Sequence, residues 1–412
     1  MTSVPAPRTT DFLVVGGGVL GLTLALELKR RHEDCSVTLL EKERACGLHA
    51  SGRNSGVLHA GFYYTADTLK AQLTREGNRG LAAYCAERGL PFSRCGKLVV
   101  AQDAEDLAGL AELERRGRAN GVPLEVVSAD DARRLEPLAR TYDRALFSQS
   151  TATVDPVAVV TSLAADARLA GIALVTGVAY RGRGRCGSVH TTAGTIDAGY
   201  LVNAAGLYAD RVARDYGFSE RYRILPFRGR YLLAEPGSLS VRMHVYPVPA
   251  LASPFLGVHV TRGVNGSVKI GPSAMPALWR EHYEGWGNFK LDECLTIAAQ
   301  ELGLLWRDDF GFRQLALAEL HTYGRQGLVR RAAALVDGVR PEHYRRWGPP
   351  GIRAQLFDTR ARRLEMDFRY EGDDRSFHVL NAVSPAFTCA LPLAVHLAQR
   401  IGERLHTAAS LS

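Results

Sequence analysis

A glycine-rich turn between two short apolar runs constrains this chain more than any other feature. Gly16, Gly18 and Gly21 spell G-x-G-x-x-G, and the acidic Glu41 follows at the end of the next apolar run. In such a motif the first glycine permits a tight turn, the second lets a pyrophosphate approach the backbone, and the third lets helix and strand pack closely. A helix over residues 19–31 would point its first N–H groups at the phosphates, while the acid would bind a ribose. The motif predicts a bound dinucleotide.

Two later stretches bear on which dinucleotide is expected. Residues 42–61 are rich in glycine and serine, at a point where an NAD enzyme normally continues into its next helix. A flavoprotein instead lays an extended loop along its flavin. Residues 195–206 have the pattern of a hairpin followed by a buried strand that ends in Ala204, Ala205 and Gly206. These three residues are small enough to pack against the AMP half of the cofactor. An ordinary strand with a small-residue exit would explain the second stretch alone, but the two together favour FAD.

Length and composition fit a globular protein with more than one domain. The chain has 412 residues, of which 46% are hydrophobic and 23% charged, so it can bury a substantial core. No charge-free apolar run approaches the roughly 18 residues of a membrane span, and the first ten residues lack the apolar core of a secretory signal. The seven cysteines show no C-x-x-C pair and no metal-ligand spacing with histidine, so no metal site is predicted. We expect a cytoplasmic protein with reduced thiols, with peripheral membrane contact left open.

The net charge of +8 admits several partners. Nucleic acid, an anionic membrane surface or an acidic substrate would each be attracted. The basic residues are spread out, as in 181–185, 330–331 and 360–363, and aromatic residues do not alternate with them. Solvated surfaces explain most of the charge, and a dianionic substrate steered toward a basic cleft is the main functional alternative. No nucleic-acid partner is predicted.

The order of elements predicts the fold class. Strands alternate with helices at both ends of the chain, including a helix over 156–169, whereas residues 226–272 alternate apolar and polar side chains as antiparallel strands do. A short helix opens at 128–131 with an aspartate at a capping position. Helices return over 291–337, and a last strand over 377–380 precedes a C-terminal helix. This pattern predicts an α/β protein (α+β overall) with a discontinuous Rossmann-like domain and a second domain on a mostly antiparallel sheet.

Motifs along nearly the whole chain resemble those of one known family. They lie at residues 54–61, 63–64, 69–72, 95–97, 226–229, 246–249, 254–261, 271–272, 351–355, 381–382 and 384–385. In these motifs the chain resembles the FAD-dependent oxidoreductases of the D-amino-acid-oxidase group, and within it the L-2-hydroxyglutarate oxidases and dehydrogenases. The dinucleotide motif is shared by many flavoproteins, whereas the later motifs fall on the substrate side of the flavin in this family.

The resemblance implies a domain division and a reaction. The FAD-binding domain would comprise residues 1–80, 150–220 and 345–412, and the substrate domain would comprise 81–149 and 221–344. The implied reaction oxidises the C2 hydroxyl of a 2-hydroxy acid, L-2-hydroxyglutarate first, to give 2-oxoglutarate. A hydride would pass to flavin N5, and the electrons would then pass to O2 or a quinone.

Such a reaction needs a clamp for the substrate carboxylate and a base for the hydroxyl proton. Arg353, expected in a short polar turn, is the first choice for the clamp because a guanidinium binds a carboxylate with two parallel hydrogen bonds. His259, expected on an alternating strand, is the first choice for the base because the histidine pKa lies near neutrality. His59 is the rival base or a flavin contact. A surface arginine and a structural histidine are the competing interpretations.

Five further side chains are candidates with less defined roles. Arg228 and Lys70 would hold a second carboxylate or a flavin phosphate. Tyr64 and Tyr246 would donate hydroxyl hydrogen bonds, although buried tyrosines are more often part of a core. His49 lies in a stretch where some members of the family attach flavin covalently.

The motif and the resemblance together predict a larger set of FAD contacts. A helix that begins after Ser384-Pro385, or after Leu391-Pro392, would aim its positive N-terminus at the pyrimidine edge of the flavin. The full set comprises Gly16, Gly18, Gly21, Glu41, Lys42, His49, Ser51, Gly52, Asn54, Ser55, Gly56, Val178, Ala205, Gly206, Ser384, Pro385, Ala386 and Thr388.

Several positions depart from the family pattern and keep the substrate open. Arg53 stands where the family usually has histidine, Arg230 replaces an acidic residue, and Val383 and Phe387 interrupt a run of small residues. Extra arginines and a bulky ring would change the charge and volume of a pocket. An amine or amino-acid oxidase, or an oxidase of specialised metabolism, is therefore an alternative on the same fold. An RNA-modifying flavoprotein would need a contiguous basic groove, which no clustered segment supplies.

Overall fold

A computed structural model of the chain describes residues 6–185, 187–250, 256–314, 316–317 and 324–409. Pro254 and Phe255 of one family-like motif, and part of the helical stretch expected over 291–337, lie outside these residues. Short 3-10 turns lie at Gly206–Tyr208, Asp309–Gly311 and Pro341–His343. The α-helices are α1 (Val19–Arg31), α2 (Leu69–Glu87), α3 (Asp106–Ala119), α4 (Ala129–Leu135), α5 (Pro156–Leu169), α6 (Ala209–Asp215), α7 (Leu291–Arg307), α8 (Arg325–Ala333) and α9 (Ala390–Ala409).

The strands run from the N-terminal motif to the start of the last helix. In chain order they are β1 (Thr9–Val15), β2 (Val37–Glu41), β3 (Val57–Leu58), β4 (Phe92–Ser93), β5 (Lys97–Val100), β6 (Glu125–Ser128), β7 (Arg144–Ser148), β8 (Ala152–Val154), β9 (Ala173–Thr176), β10 (Tyr180–Arg183), β11 (Ser188–Thr191), β12 (Gly194–Asn203), β13 (Tyr222–Gly229), β14 (Leu232–Leu233), β15 (His244–Pro247), β16 (His259–Arg262), β17 (Val268–Gly271), β18 (Met275–Pro276), β19 (Arg346–Trp347), β20 (Gly351–Asp358), β21 (Arg363–Leu364), β22 (Arg369–Gly372) and β23 (Ser376–Asn381).

The first of two compact units is a doubly wound layer around a parallel sheet. It comprises the described residues of Met1–Arg53, Pro156–Leu225 and Ala354–Ser412. Strands β9, β2, β1, β12 and β23 run parallel in that order, and β10–β11 and β22 add antiparallel edges. Every residue of β2 and β23 is buried, as expected for a sheet covered on both faces. Helix α1 packs against α5 and α9.

The second unit is built on a long, mostly antiparallel sheet. It comprises the described residues of Asn54–Asp155 and Pro226–Arg353. The sheet order is β19-β14-β17-β16-β15-β5-β7-β6, in which β5 and β15 pair in parallel. One face carries an apolar core with α8, and the other face packs in part against α3. Side chains alternate between these faces along each strand. The combination of sheets and helices in both units confirms the mixed α/β class expected from the sequence.

The compact units differ in extent from the domains expected from the sequence. Residues 54–80, expected in the FAD-binding domain, belong to the second unit. Strand β3 pairs with β8, and the Asn78 amide in α2 donates to the carbonyls of Leu58, His59 and Ser150. These bonds tie the segment after Arg53 to the second unit.

Three local expectations were wrong. The cap of α4 is the Ser128 hydroxyl, which accepts from the Asp131 N–H at 3.1 Å, because serine precedes the first helical residue and aspartate follows it. The C-terminal helix begins at Ala390, neither after Pro385 nor after Pro392. Residues 383–389 form a turn in which the Cys389 N–H donates to the Pro385 carbonyl, and Pro392 lies in the first turn of the helix. Arg353 lies in strand β20, not in a turn, since the buried Ile352 anchors that strand.

Within the described ranges, no helix is both long and apolar enough to cross a membrane. The cysteines of the same ranges, which leave out Cys186, are all free thiols.

Candidate active site

The glycine-rich turn of the first unit has no room for side chains. Gly16 has a φ of +114°, and a Cβ there would lie 2.4 Å from the Ala204 carbonyl oxygen. A Cβ at Gly21 would lie 1.9 Å from the Gly16 oxygen. The turn is held between β2 and β12, because the Gly16 N–H donates to the Leu40 carbonyl and the Ala204 N–H to the Val15 carbonyl. The roles expected for Gly16 and Gly21 agree with this packing.

The N-terminus of α1 meets two side chains expected to contact FAD. The Glu41 carboxylate accepts from the N–H groups of Gly17 and Glu43, both at 2.8 Å. The Ser51 hydroxyl accepts from the Val19 N–H at 2.9 Å. A close-packed glycine turn that leads into a helix and a buried acid at the end of β2 are the features that hold a dinucleotide. The residues present therefore fit the group.

The other expected FAD contacts of the first unit surround this turn. His49 bonds to Glu43 at 3.0 Å between Nε2 and Oε1, and Lys42 pairs with the same carboxylate. A Cβ at Gly52 would lie 2.4 Å from the Gly47 oxygen. The Val178 N–H donates to the Glu41 carbonyl.

Beyond β12 and β23, two short turns complete this set. The Ala205 N–H donates to the Asn203 amide oxygen at 3.1 Å, and Gly206 follows with a φ of +55°. After β23, Ser384 is exposed, whereas Pro385, Ala386 and Thr388 are buried. Among the departures from the family pattern, Val383 is buried, Phe387 is half-buried, and Arg53 donates from Nε to the Leu48 carbonyl at 2.7 Å.

The remaining expected FAD contacts belong to the second unit. The Asn54 side chain accepts from the Gly56 N–H at 2.8 Å, and Gly56 has a φ of +75°. The Ser55 carbonyl accepts from the Lys269 ammonium at 2.9 Å. This loop is thereby joined to β17 of the long sheet.

One face of the long sheet carries an unusual concentration of polar side chains. Strand alternation places Lys97 of β5, His244 and Tyr246 of β15, His259 of β16 and Lys269 of β17 on this face, while Leu98, Val245, Val260 and Ile270 fill the apolar core behind it. We refer to Lys97, His244, Tyr246, His259 and Lys269 as the basic face. Burial disfavours the charged form of each of its cations.

His259 is the member of the basic face with a nitrogen available for proton transfer. Its Nδ1 lies 2.9 Å from the Gly257 carbonyl oxygen, so Nδ1 carries the proton of the neutral ring. Its Nε2 is buried and has no hydrogen-bond partner in the described structure. Burial lowers the pKa of His259 to about 3, with smaller contributions from Lys97 and Lys269 that are opposed by the Gly257 bond. The ring is therefore neutral at pH 7.

The other two histidines nearby are arranged differently. Both nitrogens of His244 are engaged, Nδ1 accepting from the Arg262 N–H at 3.2 Å and Nε2 lying 3.3 Å from the Cys95 sulfur. His59 is buried, and burial lowers its pKa well below the ordinary value, with Lys97 next in effect. His244 thus has a structural role, and His59 lies within the electrostatic reach of the basic face.

Arg353 and Lys70 are grouped around Tyr64. The Lys70 ammonium lies 5.8 Å from the Tyr64 ring centroid. Burial lowers the pKa of Arg353 to about 10, and the Tyr64 hydroxyl opposes this shift. Arg353 therefore stays protonated at neutral pH. The loop that carries Tyr64 is fixed by the Asn120 amide, which donates to the carbonyls of Gly61 and Tyr64, both at 2.9 Å.

Arg228 and Arg230 point to other parts of the second unit. Arg228 donates to the carbonyls of His282 and Tyr283 at 3.5 and 3.4 Å. The Arg230 guanidinium lies 4.8 Å from the Trp347 ring centroid and 3.8 Å from Glu284. Neither arginine has a described contact with the basic face.

Comparison with known proteins decides the family. The family model described as "FAD dependent oxidoreductase" matches residues 11–400. The chain belongs to the FAD-dependent oxidoreductases. It is 34% identical over 416 residues to the mitochondrial L-2-hydroxyglutarate dehydrogenase of Homo sapiens, covering 96% of this chain and 89% of that one. It is 32% identical over 404 residues to the L-2-hydroxyglutarate dehydrogenase of Escherichia coli K12, covering 95% and 93%.

Solved structures confirm the fold of this FAD-dependent oxidoreductase. The FAD-bound, dithionite-reduced L-α-glycerophosphate oxidase of Mycoplasma pneumoniae has a TM-score of 0.75 at 21% identity, with 96% of this chain and 95% of that one covered. The glycine oxidase of Geobacillus kaustophilus has a TM-score of 0.72 at 20% identity, with 97% and 96% covered. At such identities the likeness shows the fold alone.

The sequence interpretation missed three members of the basic face. Lys97, His244 and Lys269 were not among its candidate site residues, although it chose His259 and Tyr246. Each missed residue lies next to an apolar residue in a short β-branched run, for example Lys97 before Leu98-Val99-Val100. A charged side chain at an inward position of such a run is the signal that would have identified them.

Proposed function

We propose that this oxidoreductase oxidises the C2 hydroxyl of L-2-hydroxyglutarate to give 2-oxoglutarate. The observation that carries the proposal is the neutral, buried His259 on the basic face, with Nε2 directed to no described partner. The names of the bacterial and animal relatives support the choice of substrate. When bound, FAD supplies the hydride acceptor for such a reaction.

The side chains of the second unit have separable roles in this proposal. His259 accepts the proton of the C2 hydroxyl at Nε2, because its Nδ1 is already committed to the Gly257 carbonyl. Arg353 binds the C1 carboxylate and orients C2, because it is a permanent cation near Tyr64. Tyr246 stacks on His259, with ring centroids 3.8 Å apart and an interplanar angle of 13°, and so holds the imidazole plane.

Arg353 and Lys269 are two buried cations of the second unit, and together they favour a substrate with two carboxylates. No carboxylate contributes to the lowered pKa of either side chain among the described residues. Burying cations without counter-ions is costly. A bound dianion would offset that cost, which supports L-2-hydroxyglutarate over a neutral or singly charged acid.

Anaerobic loss of the oxidised flavin absorbance tests the substrate. The FAD-loaded protein would be mixed in turn with L-2-hydroxyglutarate, its D enantiomer and L-glutamate. We expect rapid bleaching by the L-hydroxy acid and not by the other two. Bleaching by L-glutamate alone would replace the proposal with an amino-acid oxidase on the same fold.

Replacing Arg353 with lysine should weaken binding of the hydroxy acid about tenfold or more, because an ammonium cannot make the two parallel hydrogen bonds of a guanidinium. The dissociation constant from the substrate dependence of flavin reduction measures this effect. Arg228→Lys is the matched control, since Arg228 donates to the backbone carbonyls of His282 and Tyr283. An equal loss of affinity in both variants would contradict the role of Arg353 in binding the substrate carboxylate.

The electron acceptor is proposed to be O2 or a membrane quinone. An exposed apolar surface of α7 supports the quinone. Leu291, Leu295, Leu302 and Trp306 lie on one side of α7, with exposed fractions between 62% and 84%. An apolar stripe on a surface helix is typical of a membrane-interface contact. The net charge of +8 would add attraction to anionic lipids.

The full-length protein should therefore float with phosphatidylglycerol vesicles in a density gradient. Leu302→Glu should abolish flotation, because it places a charge in the middle of the stripe. Leu169→Glu is the control, since Leu169 at the end of α5 is 83% exposed and lies outside α7. A wild-type protein that stays with the unbound fraction would leave O2 as the proposed acceptor.

A further inference from the structure

Lys97 is a fully buried cation in a box of aromatic rings. Its side chain has no solvent exposure, and its Nζ has neither a hydrogen-bond partner nor an ion pair in the described structure. The Nζ lies 4.2 Å from the ring centroid of Tyr246, 4.9 Å from that of Tyr63 and 5.4 Å from that of Phe62. The roles assigned to His259 and Arg353 leave this lysine unexplained.

The Tyr246 ring connects Lys97 to the proposed base. Strand β15 lies between β5 and β16 in the sheet, so Tyr246 has Lys97 on one neighbouring strand and His259 on the other. The ring lies under the Lys97 ammonium and stacks on the His259 imidazole at 3.8 Å. A positive charge on Lys97 therefore acts on His259 across one aromatic ring.

We propose that Lys97 is a positioning residue for proton transfer, which acts through Tyr246 and sets by its own charge how readily His259 accepts a proton. The inference rests on the proposed function, in which His259 takes the hydroxyl proton. When Lys97 is an ammonium, it repels the imidazolium that forms at His259. When Lys97 is a neutral amine, that repulsion is absent.

The surroundings of Lys97 make this change of charge accessible near neutral pH. Burial lowers the pKa of Lys97 to about 7, while the Cys95 thiol opposes the shift slightly. The titratable groups around it are His59, Cys95, His244, His259, Tyr63 and Tyr246. Lys269 lies farther away on the same face of the sheet, on β17. None of these groups is a carboxylate, which would hold Lys97 in its charged form.

Flavin reduction should become faster as the pH rises. As the pH rises through the pKa of Lys97, the ammonium loses its proton and the cost of protonating His259 falls. The rate constant for flavin reduction should therefore rise with pH by on the order of tenfold, which corresponds to about one pKa unit of coupling. Lys269, whose pKa burial lowers to about 8, titrates nearby, so variants of Lys97 are needed to assign the step.

Two substitutions fix the charge in opposite states. Lys97→Met keeps the length of the side chain without charge, so the step near pH 7 should disappear and flavin reduction should proceed at the upper wild-type rate across it. Lys97→Arg keeps the charge at every accessible pH, so the same step should disappear and reduction should stay at the lower rate. A purely structural role would slow both variants and leave the pH step in place, which would overturn the inference.

A measurement on the wild-type protein gives a readout without turnover. The lysines of the sequence are Lys29, Lys42, Lys70, Lys97, Lys269 and Lys290, so carbon-13 labelling of lysine gives few Cε signals, and Lys97→Arg assigns one of them. We expect the Lys97 signal to titrate near pH 7 with the same midpoint as the reduction step. A Lys97 signal that stays in its ammonium position to about pH 9 would contradict the inference even if the enzyme turns over normally.

The two proposals fail in distinguishable ways. A protein whose flavin no 2-hydroxy acid reduces loses the proposed function, and with it the reaction that Lys97 would tune. If L-2-hydroxyglutarate reduces the flavin normally and the pH step is unchanged in both Lys97 variants, the role of Lys97 is contradicted and the proposed function stands.

Discussion

Replacing His259 with alanine should lower the rate constant for flavin reduction by L-2-hydroxyglutarate about a hundredfold or more, the usual contribution of a general base. The expectation follows from a neutral ring whose Nδ1 lies 2.9 Å from a carbonyl oxygen and whose buried Nε2 has no described partner. Anaerobic stopped-flow absorbance measures the rate constant. The dissociation constant of the substrate should change much less, because the carboxylate clamp is intact.

A second histidine provides the control for that substitution. His396 lies in the first unit, where its Nε2 is 2.9 Å from the Tyr370 hydroxyl. His396→Ala should leave flavin reduction near the wild-type rate. If His259→Ala reduces its flavin as fast as His396→Ala does, the proton passes to another group, and His59 becomes the first candidate.

Replacing Gly21 with alanine should prevent FAD from binding and destabilise the first unit. The added methyl group would lie 1.9 Å from the Gly16 carbonyl oxygen, which is backbone held between β2 and β12. Either α1 moves away from the turn or the turn itself shifts, and overpacking of this kind costs about 1–3 kcal/mol or more in the free energy of unfolding. The ratio of flavin to protein absorbance and the thermal midpoint measure the two effects.

Gly402 gives a matched control of opposite sign. It lies inside α9 and a Cβ there would meet no atom within 4 Å. Gly402→Ala should keep the full FAD content and raise the free energy of unfolding by about 0.5–1 kcal/mol, because alanine is the better helix former. A yellow, stable Gly21→Ala protein would show that α1 and the turn do not need their close contact.

The nucleotide-binding half could be predicted because its signals are local in the sequence. Gly16, Gly21 and Glu41 lie within one β-α-β segment, and α1 begins and ends at the expected residues, Val19 and Arg31. Each contact is made by residues a few positions from the motif or at the end of an adjacent strand. Ser51 and Ala204 lie farther along the chain, but the glycine-rich loop and the small-residue strand end that contain them are visible in the sequence without knowledge of the fold.

The basic face could not be assembled from the sequence in the same way. Lys97, His244, His259 and Lys269 lie on strands whose order in the sheet is β17-β16-β15-β5, and the parallel pairing of β5 with β15 joins residues about 150 positions apart in the chain. Alternation shows which side chains share a face of one strand, but not which strands are neighbours. The strand position of Arg353 was missed for a local reason, because the short segment 351–355 was interpreted as a polar turn, whereas Gly351–Asp358 form one strand.

The most direct test of the proposed reaction is anaerobic reduction of the FAD-loaded protein by L-2-hydroxyglutarate that carries protium or deuterium at C2. We expect flavin reduction to be slower with deuterium, since the C2–H bond breaks in that step, and one 2-oxoglutarate to form for each flavin reduced. Absence of reduction by either form, or reduction that yields no 2-oxoglutarate, would contradict oxidation at C2.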